Sequence, residues 1–368
     1  MKINFNKEDL KKFNKLVETK EINMAVASMF MDYNTYIDVV DEKEMKRSKN
    51  EVETYLNTFL DFFSISRRLK ENREIIEKSI RPSIKKMDST IIKNDPYYKT
   101  INIDSIQDEE YFLGNIKYYA YQSFAYDDVI VKEDDYYREI SQIGYFDHEV
   151  PFLTISKDNV IWMSITPNET WTILPAIERS FGKVITFGMG LGYYPFMCSI
   201  KDNVESVTIV EYDENIIKLF TKHLLPLFPN KDKIKIVHAD AFKYCKENNI
   251  NELFDFAYMD IWHGAEDGLP FYIHFKKFEE HSHCKIEYWL EDSIIGLARR
   301  CLIVVFEEVL NGATDKNFKV SENELDDVIN DLYFYFKDLE INSYEELHNL
   351  LSKESLINIL EDLGKKKY

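Results

Sequence analysis

Cysteines are few in this sequence, and no two of them have the spacing of a metal-binding pair. Zinc knuckles and disulfide frameworks depend on closely spaced or evenly matched cysteines. Here the four cysteines are scattered among apolar neighbours: Cys198, Cys245, Cys284 and Cys301. We therefore expect buried thiols, and neither a disulfide framework nor a zinc knuckle.

Positive charge and long apolar runs are also scarce. The chain has 46 Lys and Arg against 65 Asp and Glu, a formal net charge of −19. Such a charge repels phosphate backbones and anionic lipids, so we expect neither nucleic acid nor a membrane as a partner, whereas a cationic small molecule would be attracted. No run of about 18 uncharged apolar residues occurs, and the N-terminal stretch lacks an apolar signal segment. The sequence therefore predicts a cytoplasmic protein.

Aromatic residues, by contrast, are abundant. The 24 Tyr, 25 Phe and 4 Trp bring the aromatic content to 14% and contribute to a hydrophobic content of 45%. This is enough apolar surface to offset the chain entropy lost on folding. At 368 residues, the chain has room for two or three compact units of about 150 residues each.

Residues 1–147 are predicted to form a mainly helical N-terminal region. Over residues 7–92, apolar side chains such as Tyr55 and Phe59 recur at helical spacing, and glycine is absent. Residues 94–147 are crowded with aromatics in an irregular pattern that leaves their structure open. We expect this region to cover a substrate or to form a homodimer.

Residues 148–312 are predicted to form a cofactor-binding domain with a leading hairpin. Residues 151–165 contain two β-rich stretches around turn-forming residues at 156–159. Thr166 can cap the helix that comes next. Residues 313–368 are predicted to form a helical C-terminal extension.

From Lys183 onward, short apolar runs alternate with helical patterns. The runs are KVITFG, SVTIVE, KIKIVHAD, FDFAYMD and CKIEYWLED. Strands buried on both faces have continuous apolar sequences, and strands that alternate with helices form parallel βαβ units. The stretch after the fifth run is predicted to be one buried helix. The predicted fold class is α/β, a Rossmann-like doubly wound, mostly parallel sheet with a helical N-terminal region, a preceding β-hairpin and a helical C-terminal tail.

The first of these strands runs directly into a glycine loop, VITFGMGLG. Glycines there allow a tight turn and a close approach to a ligand, and the helix that follows offers free N–H groups. The three glycines are Gly188, Gly190 and Gly192. Their spacing is GxGxG rather than GxGxxG, and Tyr193 stands where a dinucleotide site needs a small residue, so NAD is disfavoured.

Carboxylates end the next three strands. Glu211 follows the last glycine by 19 residues, where an acid accepts hydrogen bonds from the ribose hydroxyls of an adenosine cofactor. Asp240, beside Ala241, ends the third strand and can accept the exocyclic amine of adenine. Asp260 ends the fourth strand and faces the crevice in which open α/β sheets bind their ligands.

Over about residues 166–292 this combination resembles the class I S-adenosylmethionine-dependent methyltransferase superfamily. The resemblance implies methyl transfer from S-adenosylmethionine to a small molecule, with the glycine loop passing under the cofactor. It also implies that Glu211 holds the ribose and that Asp240, with Ala241 adjoining, contacts the adenine. Asp260 would border the reacting centre and the cofactor.

One position departs from the superfamily pattern. Thr186 stands two residues before the first glycine, where the superfamily usually has an acid that helps to hold the amino-acid end of the cofactor. Glu169, in the preceding helix, is the candidate replacement. Spermidine-synthase-like aminopropyltransferases share the fold and often lack the same acid, so aminopropyl transfer is an alternative. A non-catalytic cofactor-binding or scaffold protein is another, because a fold alone does not determine activity.

The string MDIWH at the end of the fourth strand contains the candidate catalytic residues Asp260 and His263. A histidine can act as a general base because its pKa lies near working pH, and Trp262 can stack on a ligand. The string also resembles the MDxW-type string of metal-dependent catechol O-methyltransferases. This resemblance implies, as a secondary alternative, a Mg²⁺ site with Asp260, Glu291 and Asp292 as oxygen ligands. The simpler interpretation has no metal, and the last two acids begin the next helix.

Overall fold

The computed structural model describes residues 1–37, 39–279, 283–314, 318 and 324–367. Within them the chain forms helices and four sheets, of five, four, three and two strands. Much of the start of the predicted C-terminal extension lies outside these ranges.

The described residues among the first hundred are mainly helical, with two short strands. Its elements are β1 Lys2–Ile3, α1 Lys7–Asn34, α2 Glu42–Arg47, α3 Glu51–Phe62, α4 Lys70–Ile75, a π-helical turn Ile76–Ile80, α5 Arg81–Ser83, β2 Ile84–Lys86, α6 Thr90–Asn94 and α7 Pro96–Thr100. The side chain of Asn6 accepts the backbone N–H of Glu8 and thereby caps α1. Along α3, Tyr55 and Phe59 are both buried, which confirms the predicted amphipathic pattern.

Strands occupy the aromatic-rich stretch that follows, so the helical part of the N-terminal region ends at Thr100 rather than near residue 147. The strands are β3 Ile106–Asp108, β4 Tyr111–Tyr118, β5 Phe124–Lys132, β6 Arg138–Tyr145, β7 Val150–Lys157 and β8 Val160–Ser164, with a 3₁₀ turn at Glu133–Asp135. One sheet has the order β2-β6-β5 and the other the antiparallel order β3-β4-β7-β8. Tyr, Phe and β-branched residues suit a pleated, half-buried surface, which explains why this stretch forms strands.

The predicted hairpin is confirmed by the antiparallel pairing of β7 with β8. Lys157 pairs with Val160 across a two-residue turn, in which Asp158 and Asn159 have φ angles of 51° and 63°. Positive φ at both central residues is the type I′ geometry that matches the twist of a hairpin, and Asp and Asn tolerate it.

A five-stranded parallel sheet forms the centre of the molecule. Its elements are α8 Pro167–Arg179, β9 Gly182–Phe187, α9 Tyr193–Ser199, β10 Val204–Glu211, α10 Glu214–Leu219 with a π-helical turn Phe220–Leu224, 3₁₀ turns Leu225–Leu227 and Lys231–Lys233, β11 Ile234–His238, α11 Ala241–Glu247, α12 Ile250–Leu253, β12 Phe256–Met259, α13 Ala265–Lys276, β13 Lys285–Tyr288 and α14 Glu291–Leu310. The strand order is β11-β10-β9-β12-β13 and every pair is parallel. This is the doubly wound, Rossmann-like order, and the predicted fold class is confirmed.

The chain reverses its winding direction between β9 and β12, the two strands at the centre of this sheet. In β9 the side chains of Val184, Ile185 and Phe187 have no solvent exposure, as expected for a strand covered on both faces. Ligands of open α/β sheets bind beyond the carboxyl ends of the strands at such a switch point. A ligand site is therefore expected at the residues that follow β9 and β12.

The C-terminal extension packs back onto the sheet domain. It contains α15 Glu324–Tyr335, β14 Glu340–Ile341, α16 Tyr344–Leu350 and α17 Lys353–Lys367. β14 pairs in parallel with β1, so the two ends of the chain meet. Gly364 of α17 lies against α13, where a Cβ would come within 2.3 Å of the carbonyl oxygen of Ile273. Within the described ranges, each helix is either too short or too polar to traverse a bilayer.

Replacing Lys201 with methionine is expected to lower the free energy of unfolding by about 2 kcal/mol. Its ammonium group donates to the carbonyl oxygens of Ile177, Glu178 and Ser180, the last at 2.7 Å. These carbonyls lie at the C-terminal end of α8, where backbone acceptors run short of intrahelical donors. The carbonyl oxygen of Ile177 also accepts from Ser180, and that of Ser180 also accepts from Asn203, but Lys201 alone provides a charged donor to all three. Chemical denaturation of the variant and the wild type measures the difference.

The control for this substitution is Lys243→Met. The side chain of Lys243 is 70% exposed and lies 4.0 Å from Glu247, so its removal should change stability by less than about 0.5 kcal/mol. Equal losses for the two variants would contradict a capping role of Lys201.

Candidate functional site

A cavity of about 560 Å³ opens at the carboxyl edge of the parallel sheet. Each of the five strands contributes to its wall, either by its last residues or by those that follow, and β8 and α8 cover one side. The volume is within the range of small-molecule sites. The lining residues that the sequence predicted are Glu169, Gly188, Gly190, Glu211, Asp240, Ala241, Asp260 and His263.

The glycine loop forms the floor of this cavity and requires glycine for two separate reasons. Gly188 and Gly190 have φ angles of 95° and 52°, which side-chain-bearing residues rarely adopt. A Cβ at Gly188 would also lie 1.9 Å from the carbonyl oxygen of Asp260, and one at Gly190 would lie 2.8 Å from Sδ of Met163. The loop is thus pressed between the end of β12 and the hairpin.

Gly192 differs from the other two glycines because it does not reach the cavity. It precedes α9 with a φ of 79°, and a Cβ there would meet the ring of Phe220 at 2.3 Å. The structure therefore explains Gly192 by backbone conformation and packing, not by contact with a ligand.

Glu211 lines the cavity and also holds the glycine loop in place. Its carboxylate accepts the backbone N–H of Met189 at 3.0 Å, of Tyr212 at 2.7 Å and of Asp213 at 2.8 Å. A carboxylate offers about four acceptor positions. Three are occupied, which leaves about one for a ligand hydroxyl group.

Asp240 and Ala241 lie at the start of α11. Oδ1 of Asp240 accepts the backbone N–H of Lys243 at 2.8 Å and thereby caps the helix. Asp240 is exposed, whereas Ala241 is buried. One oxygen of Asp240 thus stabilises the helix, and the other remains able to accept a hydrogen bond from a ligand.

Glu169 and Asp260 are the two carboxyl groups of the cavity that lack a partner. Within the described part of the chain, neither side chain has a hydrogen bond or an ion pair. Burial raises the pKa of Glu169 to about 7. Burial, followed by the nearby charge of Glu169, raises the pKa of Asp260 well above its usual value. Two neighbouring acids with raised pKa values form a site that a cation would stabilise.

The raised pKa of Glu169 predicts a measurable pH dependence of stability in the ligand-free protein. The unfolded chain loses this proton near pH 4.5 and the folded chain only near pH 7. Between these values the folded state binds more protons, so the contribution of Glu169 to stability falls as the pH rises and stays lost above pH 7. Glu169→Gln should therefore be more stable than the wild type at pH 8, and the difference should disappear at pH 4.

Chemical denaturation at both pH values measures this effect. Glu178→Gln is the matched control, because Glu178 lies on the same helix and is exposed. A wild type and a Glu169→Gln variant whose stabilities change in parallel between pH 4 and pH 8 would rule out a raised pKa.

His263 lies at the mouth of the cavity. Its side chain is 93% exposed, and Nδ1 is 3.0 Å from Oδ2 of Asp267. Trp262, in contrast, is buried, and its indole N–H donates to the carbonyl oxygen of Trp289 at 3.2 Å. The two residues therefore form part of the wall and rim, with His263 in water and Trp262 held in place.

The three acids considered as Mg²⁺ ligands do not share the cavity, because only Asp260 lines it. Glu291 and Asp292 begin α14, and neither lines the cavity. Glu291 accepts the hydroxyl of Tyr272 at 2.9 Å, and Asp292 pairs with Lys353 at 2.7 Å. Among the residues that the structure describes, no group of three His, Cys, Asp or Glu side chains could hold a metal ion. The interpretation that these acids begin a helix fits their contacts.

Three residues at the rim of the cavity have large apolar or aromatic side chains that no motif in the sequence identified as part of a site. Ile161 and Trp162 on β8 are 54% and 40% exposed, and Tyr212 after β10 is 74% exposed, yet all three line the cavity. The signal was present in the hairpin, where Val160, Ile161 and Trp162 follow one another. Alternation along a strand forces at least one member of an apolar triplet to face outward.

No protein-family model matches the chain, and no curated protein matches it. Among solved structures, a spermidine synthase from Thermotoga maritima is similar at a TM-score of 0.30 and 16% identity, over 41% of this chain and 59% of that chain. A spermidine synthase in complex with the transition state analogue AdoDATO has a TM-score of 0.29 and 16% identity, over 41% of this chain and 58% of that chain. The match spans less than two thirds of either spermidine synthase. At this level of similarity it adds nothing to the fold that the strand order already shows.

Proposed function

We propose that this chain is a transferase that binds S-adenosylmethionine and transfers its methyl group to an amine of a small molecule. The observation that carries the proposal is the pair of unpartnered carboxyl groups, Glu169 and Asp260, in the cavity at the switch point. No Lys or Arg is among the cavity-lining residues, all of which belong to the described part of the chain. A cavity lined by four acids and by neither Lys nor Arg favours a cationic ligand.

The lining residues fit an adenosyl sulfonium cofactor. At Gly188 and Gly190 the backbone itself forms the cavity floor, because neither residue has a side chain and a Cβ at either position would clash with its surroundings. Glu211 has about one acceptor position left for a ribose hydroxyl, and Asp240 has an oxygen for the adenine amine. When bound, the cofactor supplies an electrophilic carbon next to a positively charged sulfur.

The acidic pair would act on the acceptor amine. An amine arrives as an ammonium ion, and its positive charge favours the ionised forms of Glu169 and Asp260, which then attract it. Only the neutral amine has a lone pair, so one proton must leave the nitrogen before it can attack. Asp260 is suited to accept that proton, because burial and Glu169 raise its pKa well above its usual value. Alignment of the amine with the reacting carbon would supply most of the remaining catalysis.

Aminopropyl transfer is the second candidate, and one observation favours it. S-adenosylmethionine has a carboxylate at its amino-acid end, and no cationic side chain lines the cavity to pair with it. Thr186, whose hydroxyl donates to the carbonyl oxygen of Gly188 at 3.5 Å, supplies no charge at that position. Decarboxylated S-adenosylmethionine has only the ammonium group there, which Glu169 could bind.

Calorimetric titration with four ligands tests the proposal: S-adenosylmethionine, its demethylated product, decarboxylated S-adenosylmethionine and NAD. We expect binding of the first two and none of NAD, followed by turnover on a panel of small amines. Preference for the decarboxylated form would replace methyl transfer by aminopropyl transfer. Binding without turnover would favour a non-catalytic protein, and no binding of any adenosyl sulfonium would refute the proposal.

A further inference from the structure

The short helix α7 connects the N-terminal region to two walls of the cavity. The hydroxyl of Tyr97 donates to the carbonyl oxygen of Leu191, in the glycine loop, at 2.6 Å. The hydroxyl of the next residue, Tyr98, donates to the carbonyl oxygen of Ile165, at the entry to α8. Tyr97 is completely buried, so its hydrogen bond is shielded from water and has no solvent substitute.

A second bond fixes α7 to the first residue of α9, just after the glycine loop. The hydroxyl of Tyr193 donates to Oδ2 of Asp95 at 2.7 Å. The other oxygen of Asp95 caps α7 by accepting the backbone N–H of Tyr97 at 2.8 Å. The rings of Tyr97 and Tyr193 also pack at 5.4 Å. The segment from Leu191 to Tyr193, where the loop meets α9, is therefore held at both sides by one helical turn.

We propose that Tyr97 is a positioning residue that holds the glycine loop in its ligand-binding conformation before any ligand arrives. The identity of that ligand rests on the proposed function. Three glycines with positive φ give the loop many accessible backbone conformations. If the ligand had to order the loop, the lost conformational entropy would weaken binding. A contact that orders the loop beforehand avoids this loss. We assign Tyr97 no part in proton transfer, because its hydroxyl donates its proton to a backbone carbonyl oxygen.

Tyr97→Phe tests this role, since it keeps the ring and removes only the hydroxyl that donates to Leu191. The dissociation constant and the KM of S-adenosylmethionine are expected to rise about tenfold, because a buried carbonyl loses its donor, while kcat stays within about twofold. In hydrogen exchange, the backbone amides of residues 188–193 should exchange faster than in the wild type.

Tyr55→Phe is the matched control. Its hydroxyl also donates to a buried backbone carbonyl, that of Tyr121 at 3.2 Å, but in a separate hydrophobic cluster of the N-terminal region. This variant should lose comparable thermal stability with unchanged cofactor affinity and unchanged exchange at 188–193. If Tyr97→Phe behaves in the same way, its role is structural only and the proposal is overturned.

Hydrogen exchange separates this inference from the proposed function. If the wild type binds no adenosyl sulfonium, the proposed function fails, but faster exchange of the loop in Tyr97→Phe and not in Tyr55→Phe still supports positioning of the loop. If the wild type binds the cofactor and Tyr97→Phe changes neither exchange nor affinity, the positioning role fails and the proposed function stands.

Discussion

Replacing Gly188 with alanine is expected to abolish ligand binding and to lower the free energy of unfolding by more than about 4 kcal/mol. The new Cβ would lie 1.9 Å from the carbonyl oxygen of Asp260, and the obstacle is backbone, which cannot rotate away as a side chain can. The loop or the end of β12 would have to shift, and with it the acidic pair. Calorimetry and chemical denaturation measure the two effects.

Gly312→Ala isolates the steric clash from the cost of the backbone angle. Gly312 has the same φ of 95°, but nothing lies within 4 Å of a Cβ built there. Its replacement should therefore cost only about 1 kcal/mol, the usual penalty for a side chain in a left-handed conformation. If the two alanine variants lost the same stability, close packing of the glycine loop against Asp260 could not be the reason why position 188 needs glycine.

Replacing Asp260 with asparagine is expected to lower kcat/KM for the best amine acceptor about a thousandfold. The substitution keeps the shape of the side chain but removes the charge that attracts the ammonium ion and the oxygen that accepts its proton. Cofactor affinity should change far less, because the glycine loop, Glu211 and Asp240 remain. Steady-state kinetics with the amine panel, together with calorimetry, measure the two quantities.

His263→Ala discriminates between the two candidate bases. The side chain of His263 is 93% exposed, so we expect its loss to change kcat/KM by less than about fivefold, since surface substitutions seldom have large effects. A thousandfold loss in His263→Ala with little change in Asp260→Asn would move the base to the rim of the cavity and leave the acidic pair with another role.

Local pattern was sufficient for the parallel sheet and for most of the cavity. A strand that is buried on both faces must be apolar along its length, so β9, β10 and β12 could be recognised without knowledge of their neighbours. Parallel strands all end at one edge. The residues after them, such as Gly188, Asp240 and Asp260, therefore had to lie close together whatever the helices did.

The aromatic stretch that became β3 to β6 could not be assigned in this way. Its apolar residues follow neither a strict two-residue nor a strict helical period, and β5 pairs with β6 through two irregularities in register. Strand preference depends on the partners across the sheet more than on the residues themselves. For β6 those partners include β2, on the far side of a long stretch of chain.

The sequence by itself thus determined the fold class, the order of the acids at the strand ends and the glycine loop, because each depends on residues that are close in the chain. Only the tertiary structure decided which groups are left without a partner. It assigned Gly192 to packing, placed His263 in water, used Glu291 to begin a helix and left Glu169 beside Asp260. It also bonded Tyr97 to a loop 94 residues away. Such contacts follow from how whole elements pack, which no short stretch of sequence encodes.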